Sequence, residues 1–312
     1  MAKRRSRPQT KQEKIITAVV VIVAVVAVIL SATGGMDRLL ERFGIRDAVV
    51  QPMETQLEMH VIDVGNADSI WLTNQGVNLL IDAGERSAGD TVVSYLRAHG
   101  VERLDYVIAT HADADHIGGM KTVISSFEVG RYMMSFMDDA HTPTTSTYLN
   151  LLDKLDELQI EVEDVKAGKA FSVGDAAVQV LSPTRLYDDN NNQSVVCRVT
   201  FGARRFLLMG DAEKEAESDL LANGTDLSAD FIKLGHHGSS SSSQEAFLRA
   251  VSPRYAVMTC GKDNSYGHPH KEVLERLDKL GITYYRSDRN GTVVARCDGQ
   301  DITVTTERSD AA

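Results

Sequence analysis

Acidic residues and histidines follow predicted apolar strands at several separate places in this chain. The strand LDYVIAT runs directly into the segment HADADH (111–116), and the strand RFLLMG runs into Asp211. His236 and His237 follow FIKLG, and Asp82 follows VNLLI. Because the carboxyl ends of strands in an α/β fold collect at one edge of a sheet, where sites are built, this pattern predicts a mixed α/β domain with one polar centre.

The alternation of strands and helices sets the extent of that domain. Predicted strands dominate both halves of residues 57–308 and helices are interspersed, including one over 144–159 with Leu149, Leu152 and Leu155 on one side. Two such halves would stack as two sheets with helices outside, which gives a four-layer αββα sandwich.

The N-terminal residues have a different character from the rest. Residues 1–14 carry six basic residues and one acidic residue, and 15–32 are apolar apart from Thr17 and Ser31. As a helix this span measures about 27 Å, near the thickness of a bilayer core. We therefore predict a basic cytoplasmic tail over 1–14, a single-pass transmembrane helix over 15–33 and a linker over 34–56, with the catalytic domain outside the cell membrane. A cleaved signal peptide, giving a secreted protein, is the alternative.

The segment HADADH predicts a metal site. His111, Asp113 and Asp115 alternate and can point into one cavity, and His116 opens the following helix. Carboxylates and imidazoles together suit Zn²⁺, Mn²⁺ or Fe²⁺. Carboxylates buried at strand ends without a cation would carry a large desolvation cost. The alternative is a polar loop in which Asp115 only caps the helix.

Cysteine use and charge exclude other classes. The three cysteines are far apart with no CxxC pair, which excludes a cysteine zinc ribbon and a disulfide-dense scaffold. Residues 15–312 hold 27 basic and 43 acidic side chains. Such a domain is not built for broad electrostatic capture of nucleic acid, so a polyanionic substrate would need metal ions or a local basic patch.

Four motifs in fixed order carry a family resemblance. HxDxDHxGG at 111–119, GDA at 210–212, HHGS at 236–239 and NxYGHP at 264–269 resemble the metallo-β-lactamase superfamily. More narrowly, they and the opening HVIDVGNADSIWL resemble the hydrolase domain of ComEC-like competence proteins. The resemblance covers roughly residues 57–300 and implies an αββα sandwich with a two-metal hydrolase site.

The resemblance also implies which residues form that site. Two divalent ions, zinc or manganese, would be held by His111, Asp113, Asp115, His116, Asp211 and one of His236 and His237. We favour His236, the first residue after its strand. The ligands would be supported from behind by Asp82, Asn191 and Ser194. Because Asp113 stands where many members have histidine, we favour manganese over a tight zinc pair.

The predicted chemistry is phosphodiester hydrolysis. Two such cations would lower the pKa of a bridging water and stabilise the leaving oxygen. We expect Asp115 or Asp211 to take the water's proton, and His268 to bind a phosphoryl oxygen or protonate the leaving group. For His268, an ordinary loop histidine is the alternative.

The resemblance implies a membrane-anchored nuclease acting on DNA. A hydrolase of small or envelope phosphodiesters and a catalytically silent binding module are the alternatives. The sequence leaves the oligomeric state open.

Overall fold

The computed structural model describes residues 55–309. The predicted basic tail, the predicted transmembrane helix and residues 34–54 of the predicted linker lie outside this range. Within it, none of the helices combines the length and the apolar character needed to cross a membrane.

Fifteen strands form two sheets in residues 55–309. In chain order they are β1 (Leu57–Val61), β2 (Ile70–Asn74), β3 (Val77–Ile81), β4 (Arg103–Ala109), β5 (Glu128–Ser135), β6 (Val162–Val165), β7 (Ala170–Val173), β8 (Ala176–Ser182), β9 (Val196–Phe201), β10 (Arg204–Leu208), β11 (Phe231–Lys233), β12 (Tyr255–Met258), β13 (Thr283–Arg286), β14 (Val293–Cys297) and β15 (Ile302–Thr306).

The strand order places the predicted site loops on neighbouring strands. The first sheet has the order β15-β14-β1-β2-β3-β4-β5-β6, and the second has β13-β12-β11-β10-β9-β8-β7. Strands β3 to β6 are parallel to one another, as are β10 to β13. Within each parallel set the carboxyl ends therefore share one edge.

Eight α-helices accompany the sheets in the described range. They are α1 (Gly89–Ala98), α2 (Ala114–Ile117), α3 (Met120–Ser126), α4 (Ser146–Glu157), α5 (Lys214–Ala222), α6 (Glu245–Val251), α7 (Lys271–Leu280) and α8 (Ser287–Asn290). Short 3₁₀ turns span Arg86–Ala88 and Gly235–Gly238.

Three apolar cores define four layers. The central core lies between the sheets, where Met59 and Leu72 of the first are buried with Val178 and Phe206 of the second. The opposite face of the first sheet packs on α1 to α4, and the opposite face of the second packs on α5 to α7. The predicted αββα sandwich is thus confirmed, and its three cysteines are free and buried.

Two helices differ from the sequence prediction. Residues 114–126 form α2 and α3, whereas the sequence predicted one helix opened by His116. Gly119 lies between the two helices, where a Cβ would come within 2.2 Å of the carbonyl oxygen of Ala83. On α4 the buried residues are Tyr148, Leu151 and Leu155, whereas Leu149 is 47% exposed. The predicted apolar face of α4 is therefore confirmed at Leu155 and at Leu152, which packs partly buried against the core, and wrong at Leu149.

Candidate metal centre

Three loops that follow parallel strands bring acidic and histidine side chains together. Asp115 and His116 lie in the loop and helix after β4, Asp211 in the loop after β10, and His237 in the turn after β11. One ligand atom from each lies within 4.8 Å of one from every other member. We call these four residues the central cluster.

The histidines of the central cluster face its carboxylates. His237 Nε2 lies 3.2 Å from Asp115 Oδ2 and 3.4 Å from Asp211 Oδ2. His116 Nε2 lies 3.3 Å from Asp211 Oδ1 and 4.0 Å from Asp115 Oδ2. Asp211 thus lies between the two imidazoles, each of which faces a different oxygen of its carboxylate. Burial raises the pKa of Asp211, but these histidines more than offset that effect and hold it well below its usual range.

Buried nitrogen and oxygen atoms that make no hydrogen bond indicate that this donor set fits a cation. His116 Nε2 and Asp211 Oδ1 are buried and make no hydrogen bond within residues 55–309, and the same holds for His111 Nε2. A buried polar atom without a partner costs about 1–3 kcal/mol, so such atoms seldom gather without a function. Imidazole nitrogens and carboxylate oxygens together are a donor set for a divalent transition metal. The cluster therefore supports divalent metal binding.

Asp82 fixes the orientation of His116. Its Oδ2 lies 2.7 Å from His116 Nδ1 and accepts a hydrogen bond of 2.6 Å from Thr110 Oγ1, while its Oδ1 accepts one of 2.8 Å from the Thr110 amide. Asp82 has a φ of 59°, a left-handed conformation that costs a non-glycine residue energy and is found at functional sites. With Nδ1 held in this way, His116 presents Nε2 to the cluster.

A second buried group fixes His237. Its Nδ1 lies 3.0 Å from Thr259 Oγ1 and 3.4 Å from Asp68 Oδ1. Asp68 Oδ2 in turn pairs with the ammonium of Lys233 at 2.6 Å, and Lys233 also donates to the Gly210 carbonyl at 3.1 Å. Burial raises the pKa of Asp68, but the buried ammonium of Lys233 more than offsets this effect and holds that pKa well below its usual range.

The structure places His237, not the favoured His236, in the central cluster. His236 Nε2 is 3.8 Å from Asp211 Oδ2, and its Nδ1 is bound by Glu213 Oε1 at 2.7 Å. Both histidines have positive φ, 46° and 53°. The chain bends sharply after β11, so position along the strand did not indicate which ring would point inward.

His111 and Asp113 lie beside the central cluster but outside it. The ring of His111 is 4.1 Å from that of His116, and its Nε2 is 3.6 Å from Asp113 Oδ2. Asp113 is 42% exposed and accepts a hydrogen bond from Asn190. The neighbouring imidazole of His111 lowers the pKa of Asp113 although burial raises it.

The predicted supporting residues Ser194 and Asn191 make different contacts. Ser194 Oγ lies 3.3 Å from His111 Nδ1 and accepts a hydrogen bond of 3.0 Å from the Asp211 amide, so it connects two predicted ligands. Asn191 Nδ2 lies 3.4 Å from Glu213 Oε1 and 3.4 Å from His236 Nδ1, at the rim.

His268 reaches the rim from the loop after β12. Its ring centroid is 5.3 Å from that of His236 and 6.2 Å from that of His237, and its buried Nδ1 has no hydrogen-bond partner in the described part of the chain. Burial and the neighbouring histidines lower the pKa of His268 to about 4. Its imidazole is therefore neutral at pH 7 and can donate a hydrogen bond from one nitrogen.

Other histidines and an aspartate in or near the ends of strands lie away from the cluster. His60 contacts Glu58 and Tyr95, Asp63 pairs with Arg308, and His270 accepts a hydrogen bond from the Ser240 amide. Conversely, sequence reasoning missed Asp68, Lys233 and Glu213. For Lys233 the sequence carried a signal, since a lysine inside an apolar strand is rarely buried without a charged partner.

The serine run after His237 is held by charged side chains on both sides. Glu217 of α5 accepts hydrogen bonds from the amides of Ser243 and Gln244. From the other side, Arg276 Nη1 of α7 lies 3.1 Å from the carbonyl oxygens of both Ser242 and Ser243. The serine run is therefore an ordered segment between the turn that contains His237 and helix α6.

Glu217 predicts a measurable pH dependence of stability. Burial raises its pKa to about 7. A carboxyl group whose pKa is raised on folding favours the folded state most at pH values below its pKa in the unfolded state, about 4.3. This contribution is lost as the pH rises through about 7, its pKa in the folded state. Between pH 5 and 8 the free energy of unfolding of wild type should fall by about 3 kcal/mol relative to Glu217→Gln. Urea unfolding of both proteins at several pH values measures this difference. Parallel pH profiles would show that Glu217 titrates normally.

The sequence and the fold have recognisable relatives. A profile of the metallo-beta-lactamase superfamily matches residues 62–262. ComE operon protein 3 of Bacillus subtilis is 32% identical over 78% of this chain and 33% of its own length. Competence protein ComA of Neisseria gonorrhoeae is 32% identical over 77% of this chain and 32% of its own length. The chain thus spans about a third of these curated relatives.

Solved structures show the same fold at low identity. The metallo-beta-lactamase fold protein YhfI from Bacillus subtilis superposes with a TM-score of 0.52 at 12% identity, covering 78% of this chain and 100% of that one. At such identity the likeness concerns the fold alone.

Proposed function

The chain belongs to the metallo-beta-lactamase superfamily, and from that membership we propose that it is a metal-dependent phosphodiesterase that cleaves DNA strands. The observation that carries the proposal is the central cluster, whose buried, unbonded His116 Nε2 and Asp211 Oδ1 suit a divalent cation. The family and this donor set support a metal-dependent hydrolase. The relatives' link to competence adds DNA as the substrate.

Different residues of the chain have different roles in the proposed hydrolysis. A bound divalent cation, held by Asp115, His116, Asp211 and His237, would lower the pKa of a water and polarise the phosphoryl group. His111 and Asp113 lie where they would hold a second ion. Asp115, whose side chain is 30% exposed, can accept the proton of an attacking water. Because its pKa is lowered to about 4, His268 is neutral at pH 7 and would donate a hydrogen bond to a phosphoryl oxygen rather than a proton to the leaving group.

A local basic groove supplies positive charge for a polyanionic substrate, although the domain as a whole is acidic. Helices α3 and α4 border a groove of about 540 Å³ that contains Arg86, Lys121 and Lys154 and includes Gly118, two residues beyond His116. Lys154 pairs with Glu157, whereas Arg86 and Lys121 form no ion pair within the described range. Phosphates along a strand bound at the centre would find unpaired cations here.

A parallel assay tests the proposed function. The full chain in detergent is incubated with Mn²⁺, Zn²⁺ or EDTA, using single-stranded DNA and bis-p-nitrophenyl phosphate as substrates. We expect cleavage of both substrates, abolished by EDTA and by His237→Ala, with His141→Ala as the control for a histidine outside the cluster. Hydrolysis of the small ester alone would favour the alternative of small or envelope phosphodiesters. No hydrolysis with any divalent ion would contradict the proposal and favour a binding module.

Membrane anchoring through residues 15–33 is a separate proposal. Its support is the apolar span preceded by basic residues. An alkaline phosphatase fused after residue 56 should be active, because that enzyme requires an extracytoplasmic location. Activity of a cytoplasmic reporter at the same position would contradict the proposed topology.

A further inference from the structure

An exposed tyrosine stands next to the candidate centre and has no part in the chemistry described above. Tyr266 is 68% exposed, the highest value among the large hydrophobic side chains of residues 55–309 that are exposed. Exposure of one aromatic ring is common on protein surfaces. Tyr266 differs from other exposed rings because it lies beside the candidate metal centre.

Hydrogen bonds hold the backbone around Tyr266, although its ring is exposed. Asn264 Oδ1 accepts a hydrogen bond of 2.9 Å from the His268 amide, and Asn264 Nδ2 donates to the carbonyls of Gly261 and His268 at 2.8 and 2.6 Å. His270 Nε2 lies 3.2 Å from the Tyr266 carbonyl oxygen. The tyrosine is therefore presented on an ordered loop, which lowers the entropy cost of binding a ligand to it.

The ring of Tyr266 continues a row of rings that begins at the centre. It is stacked with His268 at a centroid distance of 5.6 Å and an interplanar angle of 21°. His268 is stacked with His237 at 6.2 Å and 29°. The outer end of this row is a planar aromatic surface open to solvent, one ring away from the group expected to contact the phosphoryl oxygen.

We propose that Tyr266 is a stacking platform for the nucleobase next to the scissile phosphate of a single strand. The inference rests on the proposed phosphodiesterase function and adds a base-binding position to it. Stacking suits an acidic domain because it needs no positive charge, and each stacked base contributes about 1–3 kcal/mol regardless of its identity.

Two oligomers of equal length and charge separate stacking from phosphate binding. One is octathymidylate, and the other is an octamer of abasic tetrahydrofuran units. Tyr266→Ala in the full chain should lower kcat/KM for octathymidylate roughly 5- to 150-fold, mainly through KM, because stacking contributes equally to bound substrate and transition state. For the abasic octamer kcat/KM should change less than about twofold. Tyr266→Phe should behave as wild type, and Leu149→Ala serves as the control for loss of an exposed apolar side chain.

Other outcomes contradict the inference. An equal loss on both oligomers, carried by kcat, would show that Tyr266 positions His268. An unchanged KM for octathymidylate would show that no base stacks on Tyr266. Fluorescence anisotropy with both oligomers in EDTA gives a readout without hydrolysis. If wild type cleaved neither oligomer, the proposed function would fail, but Tyr266→Ala should still weaken binding of octathymidylate alone. Equal affinity of wild type and variant for octathymidylate would overturn the stacking platform.

Discussion

Replacing Asp211 with asparagine is expected to lower metal-dependent hydrolysis by at least about 10³-fold. Asp211 is the buried carboxylate between His116 and His237, and each of its oxygens lies within 3.4 Å of one imidazole nitrogen. An amide keeps the shape of the side chain but removes its charge, so a cation held there would lose its central anionic ligand. Losing several kcal/mol of transition-state stabilisation corresponds to a rate loss of this size.

The readouts for Asp211→Asn separate catalysis from folding. Metal content by mass spectrometry should fall with activity, while the variant should still be folded in EDTA, because the asparagine fills the same space. Asp63→Asn is the matched control, since Asp63 also follows a strand but pairs with Arg308 instead. Retained activity with full metal content would remove Asp211 from the site. Loss of the folded state in EDTA would show a structural role.

The second large effect is expected from His268→Ala. This substitution should lower turnover on phosphodiesters by about 10²–10⁴-fold, the scale for losing a catalytic proton donor or a preorganised hydrogen bond. Metal content should stay unchanged, because His268 lies outside the central cluster and its ring centroid is 6.2 Å from that of His237.

Two substrates with different leaving groups distinguish hydrogen bonding by His268 from proton donation by it. Because burial and the neighbouring histidines lower the pKa of His268 to about 4, the ring is neutral at pH 7 and should act by hydrogen bonding to the phosphoryl oxygen. DNA and an activated p-nitrophenyl ester should then lose comparable factors. A much smaller loss on the activated ester would indicate proton donation to the leaving group instead. Loss of bound metal would make His268 a ligand, and wild-type turnover would leave it an ordinary loop residue.

The sequence was most informative where strand ends carry charged residues. The residue pattern of a strand, and an aspartate or histidine directly after that strand, are local signals in the sequence. HADADH, Asp211 and the pair His236 and His237 could therefore be found without a structure. The parallel order of β3 to β6 and of β10 to β13 then brings these separate loops to shared edges. The αββα layering follows from the same strand and helix pattern.

Features that depend on backbone bends or distant partners could not be predicted. The order of His236 and His237 depends on two successive residues with positive φ, which no side-chain pattern reveals. Asp68 and Lys233 are separated by more than 160 positions in the chain and become partners only after the two sheets pack. Glu217 lies in α5, whose acidic first turn suggests exposure to solvent. Glu217 is nevertheless 1% exposed and accepts a hydrogen bond from the amide of Gln244, directly before α6.

Anomalous diffraction from crystals of the protein grown with Zn²⁺ tests the central claim most directly. A peak is expected at the zinc edge within about 2.0–2.2 Å of His116 Nε2, His237 Nε2 and a carboxylate oxygen of Asp211. This result would place the cation in the central cluster independently of any substrate. A zinc peak bound by His236 but not His237, or no peak at the cluster at millimolar zinc, would contradict the account.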